Sequence, residues 1–214
     1  MINALQKDVA TESGVSESTI KNIERDEDVI AQGKTAEKLK RYFTLKGIEL
    51  RTDGSVGPIG SKPVILKGHE GFSDFLDDVY ETAVNVGSVE NPCQIFLSNV
   101  LHSNWTKWMG PEKWKSHTSR MTRDKDLMDV RILVQEGDLN FPAQAYSKYK
   151  FMPKHKFRDK SFYSYHDRLA FLDFREDSVT VTIIRQLDFA EGYRNHFLDT
   201  WDYVAINPLG TTEN

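Results

Sequence analysis

The chain has 214 residues, a formal net charge of −4 and a single cysteine, Cys93. With 39 % hydrophobic and 28 % charged residues, and 12 Phe, 8 Tyr and 4 Trp to bury, it reads as a globular rather than a disordered chain. The acidic balance argues against a protein that coats nucleic acid with its whole surface, while leaving room for a small DNA-reading module on a neutral body.

One cysteine forms neither an intramolecular disulfide nor a thiolate metal site. No apolar run approaches the roughly 18–20 residues of a membrane span, and MINALQKDVATESG lacks the basic start and apolar core of a signal peptide. The expectation is a cytoplasmic protein with no membrane partner.

Two unequal parts are visible. Residues 1–51 hold no Trp, no Pro and one Phe, whereas all four Trp and all seven Pro lie beyond residue 52. Gly54, Gly57, Pro58 and Gly60 cluster in RTDGSVGPIGSKP, which reads as a turn or linker over 52–63. The expected fold class is α+β. A small all-α domain at 1–51 precedes a mixed α/β domain at 64–206, a central sheet flanked by helices, and a tail at 207–214 follows.

In chain order, Leu5, Val9 and Ala10 share one helical face, and Gly14 ends that segment with a residue free to take positive φ. Ser16 is a suitable N-cap for the next helix, which turns Ile20 and Ile23 inward and Glu17, Ser18, Lys21 and Asn22 outward. A third helix is predicted at TAEKLKRYFTLKG, with Leu39, Tyr42, Phe43 and Leu45 as its apolar set, and IEL then reads as a short strand.

The second part alternates. PVILK is a short apolar run, and HEGFSDFLDDVYETAVNV is helical with Phe72, Phe75, Leu76, Val79, Ala83 and Val86 on one side. CQIFLSN and DVRILVQ read as strands, separated by Trp-rich helical sequence broken near Gly110–Pro111. YKFMP, SFYSYHD, RLAFLDF and SVTVTIIRQ predict a four-stranded meander, and LDFAEGYRNHFLDTWDYV a closing amphipathic helix.

The segment LQKDVATESGVSESTIKNIERDED resembles the Xre/Cro-type helix-turn-helix over about residues 4–48. The marks are Gln6, Val9-Ala10, Gly14-Val15 and Ser16…Ile20…Ile23-Glu24. The resemblance implies that Glu17, Ser18 and Asn22 read base edges, Gln6 steadies the backbone, and Lys21 and Arg25 lie near phosphates. Asn pairs bidentately with adenine and Glu accepts from cytosine N4. The family's pattern has a full helix before Gln6, where this chain offers MINAL; the expectation is that this helix lies upstream or is missing. Over residues 1–51, nine Lys and Arg face nine Asp and Glu, so the module is not basic.

The stretches FMPKHKFRDKSFYSYHDRLAFLDF and FAEGYRNHFLDTW, the second with Arg194, Phe197 and Trp201, resemble the phospholipase-D-like sensor domains of TrmB-type regulators. Phospholipase-D enzymes carry H-x-K-x4-D, with His as nucleophile. Aligned on that hairpin, this chain holds Asp159, Ser161 and His166, and H-x-K occurs nowhere in it. The resemblance therefore implies a catalytically dead relative, retained for ligand sensing or dimerisation.

Other constellations are weaker. The six histidines show no H-x3-H or H-E-x-x-H spacing, and neither a metal nor a cofactor is expected. His102, Trp105, Trp108 and Trp114 are candidates to line an aromatic pocket, with half-buried packing as the competing reading. His166 is a further ligand-binding candidate. Cys93 reads as a core residue, and the basic run KHKFRDK as a solvated loop or an anion site.

The first expectation is a sequence-specific DNA-binding transcriptional regulator. It would bind double-stranded DNA at an inverted repeat as a homodimer, with a small-molecule effector as a further partner. The alternatives are a protein-binding adaptor or antitoxin-like regulator without DNA binding, and a phospholipase-D-type phosphodiesterase.

Overall fold

The 3.6-residue and two-residue periodicities both appear in the computed structural model, which describes residues 5–25, 33–50, 56–58 and 63–208. Residues 1–4 of MINAL, 51–55 and 59–62 of the stretch read as a linker, and 209–214 of the tail lie outside the described residues. The chain divides into two units, 1–62 and 63–214.

In the first unit, α1 (Gln6–Ser13) ends at Gly14, whose φ of 65° is left-handed and whose N–H bonds the Ala10 carbonyl. A β-carbon is strained in that conformation, and glycine is not. Helix α2 (Glu17–Arg25) opens on Ser16, whose Oγ accepts the Thr19 N–H at 3.2 Å. With α3 (Gly33–Leu45) these helices enclose Val9, Val15, Ile20, Leu39 and Tyr42, with Ala10, Ile23 and Phe43 packed against them.

Two expectations fail locally. Leu5 is not on the core face; it lies ahead of α1 and is 71 % exposed. The stretch read as a linker also contains strand β2 (Val56–Pro58), antiparallel to β1 (Ile48–Leu50).

The second unit is built on a seven-stranded mixed sheet. In chain order its strands are β3 (Val64–Lys67), β4 (Cys93–Val100), β5 (Met128–Gln135), β6 (Ser147–Met152), β7 (Ser161–Tyr165), β8 (Arg168–Phe174) and β9 (Val179–Arg185). The spatial order is β3-β9-β8-β7-β4-β5-β6. Three of the four segments expected to form a meander do so, as β7, β8 and β9 are antiparallel neighbours. The fourth, β6, runs parallel to β5 at the sheet edge. Sequence adjacency favours hairpins, but the segment between Met152 and Ser161 carries the chain past β5 and β4 to pair β7 with β4.

Side-chain alternation divides the two faces. From β4 and β7, Ile95, Leu97, Tyr163 and Tyr165 meet α4 (Gly68–Val86), α5 (His102–Met109) and α6 (Pro111–Arg123). Phe96, Phe162 and Ser164 meet α7 (Leu187–Tyr203) on the other face. Phe72, Phe75 and Phe197 are 0–1 % exposed, and burying each contributes about 1.5–3 kcal/mol relative to exposure. Val86, expected on the buried face of α4, is 42 % exposed at the helix end. Helices α5 and α6 break at Gly110, at φ 73°, followed by Pro111 in the first position of α6.

Candidate functional site

In the first unit, the short reach between α1 and α2 places the expected reading residues on one helix. Glu17, Ser18, Lys21, Asn22 and Arg25 are all exposed on α2, and Gln6 is half-buried at the start of α1. Their partners are mostly one another. Lys21 Nζ lies 2.6 Å from Glu17 Oε1, and Arg25 donates to Asn22 Oδ1 at 3.4 Å. The hydrogen bond to Lys21 holds the Glu17 carboxyl below its ordinary range. Gln6 donates to the Glu24 carboxylate across the two helices. Lys38 of α3 clamps the turn by donating to the Gly14 carbonyl at 3.0 Å. The outward face of α2 thus carries two acids and two bases, with no net charge.

In the second unit, the expected aromatic set only partly converges. His102, Trp105 and Trp114 line a cavity of about 30 Å³ between the sheet and α5–α6, together with Tyr146, Tyr163 and His117. Trp105 Nε1 donates to the Tyr163 hydroxyl at 2.7 Å. His102 is 4 % exposed, and neither ring nitrogen has a hydrogen-bond partner. Burial pushes its imidazole down to about 4, against the opposing charge of Asp138. His117 falls to about 3 by burial and by the charge of Arg120. Trp108 is not part of the cavity wall; it is buried against His69, with ring centroids 4.7 Å apart.

His166 lies elsewhere. At the β7–β8 turn, with φ 46°, it borders an open cleft of about 430 Å³ with Asn91, Cys93, Asp129 and Arg194. Arg194 donates to the His166 carbonyl. Asp129 in the same cleft is bonded by Arg131 at 2.7 Å and Lys148 at 3.3 Å. Burial opposes ionisation there, but these two cations hold its carboxyl below the ordinary value. Cys93 is buried, and burial pushes its thiol up.

Of the residues aligned with the phospholipase-D triad, Ser161 Oγ donates to the Asn99 carbonyl at 2.7 Å, and Asp159 is exposed in the preceding loop. Ser161 and His166 are at opposite ends of β7, roughly 16 Å apart at strand rise. They form no catalytic constellation.

No protein-family model matches the chain, and no curated protein is similar to it in sequence. Among solved structures, it is similar to TrmBL2, an archaeal chromatin protein whose structure is described as showing a novel mode of DNA binding. The identity is 11 % and the TM-score 0.45, over 90 % of this chain and 66 % of that one. The chain therefore spans just under two thirds of the TrmBL2 chain. It is also similar to the phospholipase D family member Nuc from Salmonella typhimurium, with 14 % identity and a TM-score of 0.43. That match covers 69 % of this chain and 100 % of Nuc. NucT from Helicobacter pylori matches at 9 % identity and a TM-score of 0.43, over 69 % of this chain and 99 % of NucT.

A second register of the H-x-K-x4-D spacing is present with arginine in the lysine position: His166, Arg168 and Asp173. Its members also diverge in space. Arg168 turns inward and bonds Asp78 at 2.5 Å and the Thr82 hydroxyl. Asp173, at the far end of β8, pairs with Lys160 at 2.7 Å and Arg175 at 2.9 Å. The basic run around residue 157 is an exposed loop folded partly on itself, as Arg158 donates to the His155 and Phe157 carbonyls at 3.1 and 2.8 Å. No group of three or more His, Cys, Asp or Glu among the described residues is placed to hold a metal ion, and no helix among them is long and apolar enough to cross a membrane.

Proposed function

We propose that the chain is a DNA-binding transcriptional regulator, with α2 as its reading helix and the second unit as a ligand-sensing or dimerisation domain. One observation carries the reading. Helices α1 and α2 turn at a left-handed Gly14, bury Val9, Val15 and Ile20 between them and α3, and leave Glu17, Ser18, Lys21, Asn22 and Arg25 exposed on α2. A short polar helix face of this kind fits the major groove, with Asn22 and Glu17 within reach of base edges and Lys21 and Arg25 beside phosphates. One such helix touches few base pairs, so the proposal includes a homodimer bound to an inverted repeat, its half-sites about 34–36 Å apart.

The second reading is a protein-binding adaptor. It is favoured by the cancelled charge of α2, where Glu17 neutralises Lys21, because affinity for DNA rests on unneutralised cations. Selection of sites from random DNA by the full chain, repeated at two salt concentrations, separates the two. Enrichment of a two-fold repeat, weakening as salt rises, supports the regulator. Failure to enrich any sequence overturns it. Phosphodiester hydrolysis has the weakest support, since His166, Arg168 and Asp173 do not converge.

A further inference from the structure

The α5–α6 hairpin covers a cavity that contains an unexplained polar group. His102 is 4 % exposed, and both of its ring nitrogens lack partners. A neutral imidazole has one N–H donor and one acceptor nitrogen. Leaving either unsatisfied in the interior is unfavourable, because the group has given up its hydrogen bond to water and gained none. The cavity of about 30 Å³ beside it is bounded by Trp105, Trp114, Tyr146 and Tyr163, and no Asp, Glu, Lys or Arg lines it. That volume exceeds the roughly 10–15 Å³ that one water needs.

On the outer side of the same hairpin, a groove of about 470 Å³ runs along Ser103, Thr106, Lys107, Pro111 and Trp114. Trp114 borders both spaces and is half-buried. Its indole is the side chain common to the two walls. Rotation of that ring into the groove would enlarge the inner cavity by the space of one aromatic ring system. The adjoining helix joint lies at Gly110–Pro111, four residues before Trp114.

We infer that this cavity is a binding site for a small, uncharged aromatic molecule bearing a hydroxyl-type hydrogen-bonding group, admitted past Trp114 and held by His102. The ring would enter the cavity that Trp105, Tyr163 and Trp114 line, in the space the displaced Trp114 indole leaves. The hydroxyl would satisfy the imidazole, either donating to its bare nitrogen or accepting from its N–H. The absence of any charged wall residue disfavours ions, which would enter without a counter-charge. The inference rests on reading the second unit as ligand-sensing, and it makes no use of DNA.

Phenol and toluene are matched probes, alike in shape and different in the hydroxyl. Each is titrated into the full chain without DNA, and the imidazole NMR signals that vanish in His102→Leu are followed. Phenol is expected to shift those signals saturably and to bind about tenfold more tightly than toluene, the equivalent of one unmade hydrogen bond. In His102→Leu, followed by tryptophan fluorescence, the preference should fall to about one or below. Trp114→Ala should raise the association rate of phenol at least several-fold.

Unchanged His102 signals in the wild type and in Trp114→Ala, up to about 10 mM phenol, which would fill most of a site with a millimolar Kd, would mean that the cavity holds water only and would overturn the site. Equal affinity for the two probes would overturn the role of His102, and an unchanged association rate in Trp114→Ala the gate. A chain that selects no DNA site yet binds phenol in this way would lose the DNA-reading function and keep the site.

Discussion

The Tyr165 hydroxyl donates to Asp78 Oδ2 at 2.8 Å, joining the end of β7 to the middle of α4 in a region where both residues are almost wholly buried. Arg168 and Arg185 approach the other oxygen of the same carboxylate at 2.5 and 3.3 Å. One helix is thereby tied to three adjacent strands. Asp78→Ala removes the shared counter-charge of two guanidiniums and should destabilise the second unit by about 3–5 kcal/mol. Tyr165→Phe removes one hydroxyl donor to the carboxylate and should cost less, about 1.5–3 kcal/mol. Urea unfolding of both variants checks the difference, and equal losses would show that the carboxylate does not act as the hub.

A second prediction follows from the turn after α4. A β-carbon on Gly87 would lie 2.1 Å from the Leu127 carbonyl oxygen and 2.8 Å from that of Ala83. Both are backbone atoms, so neither can swing aside as a side-chain tip would. Gly87→Ala should therefore destabilise by about 1–3 kcal/mol or more, whereas Gly192→Ala, with nothing near its β-carbon, should not. Thermal unfolding of the pair provides the comparison.

The stability of the second unit should also fall as the pH is lowered. His102 and His117 have folded-state pKa values of about 4 and about 3, below the ordinary value of 6.5. Between those limits the unfolded chain binds protons that the folded chain does not, so unfolding free energy decreases as pH drops from about 6.5 towards 4. The contribution of these histidines is fully present above 6.5. His102→Leu and His117→Leu should each flatten the slope of stability against pH in that window. Unchanged slopes in both variants would show that neither imidazole is kept neutral by folding.

On the proposed reading helix, Asn22→Ala should relax preference at one base pair by about 1–3 kcal/mol. Lys21→Ala should weaken binding to all sequences alike and lower the salt slope by about one. Glu17 holds Lys21 at 2.6 Å, so Glu17→Gln should release that cation and tighten low-salt binding to all sequences, while weakening the preference at the base pair that Glu17 reads. Fluorescence anisotropy on a selected site, over a salt series, measures all three. Wild-type behaviour throughout would place α2 outside the groove.

Much of this protein was legible in its sequence because the deciding interactions are local. Gly14, the Ser16 cap, the break at Gly110–Pro111 and the alternation through β7, β8 and β9 each depend on residues within a few positions, and each appears as the periodicities predict. Non-local pairing is different. The sequence of β6 specifies an extended segment, but its parallel place beside β5 depends on which edge is free once β4 has paired with both β5 and β7. The same limit applies to the sites. His102, Trp105, Trp108 and Trp114 fall in one short stretch, yet helical rotation and the α5–α6 break send Trp108 to His69 and leave the other three at the cavity. His166, Arg168 and Asp173 lie at H-x-R-x4-D spacing in sequence, while the strand alternates and extends, carrying Arg168 inward and Asp173 to its far end. Sequence fixes chemical type and period; long-range packing decides which of those groups meet, because the burial that selects an arrangement is shared among residues far apart in the chain.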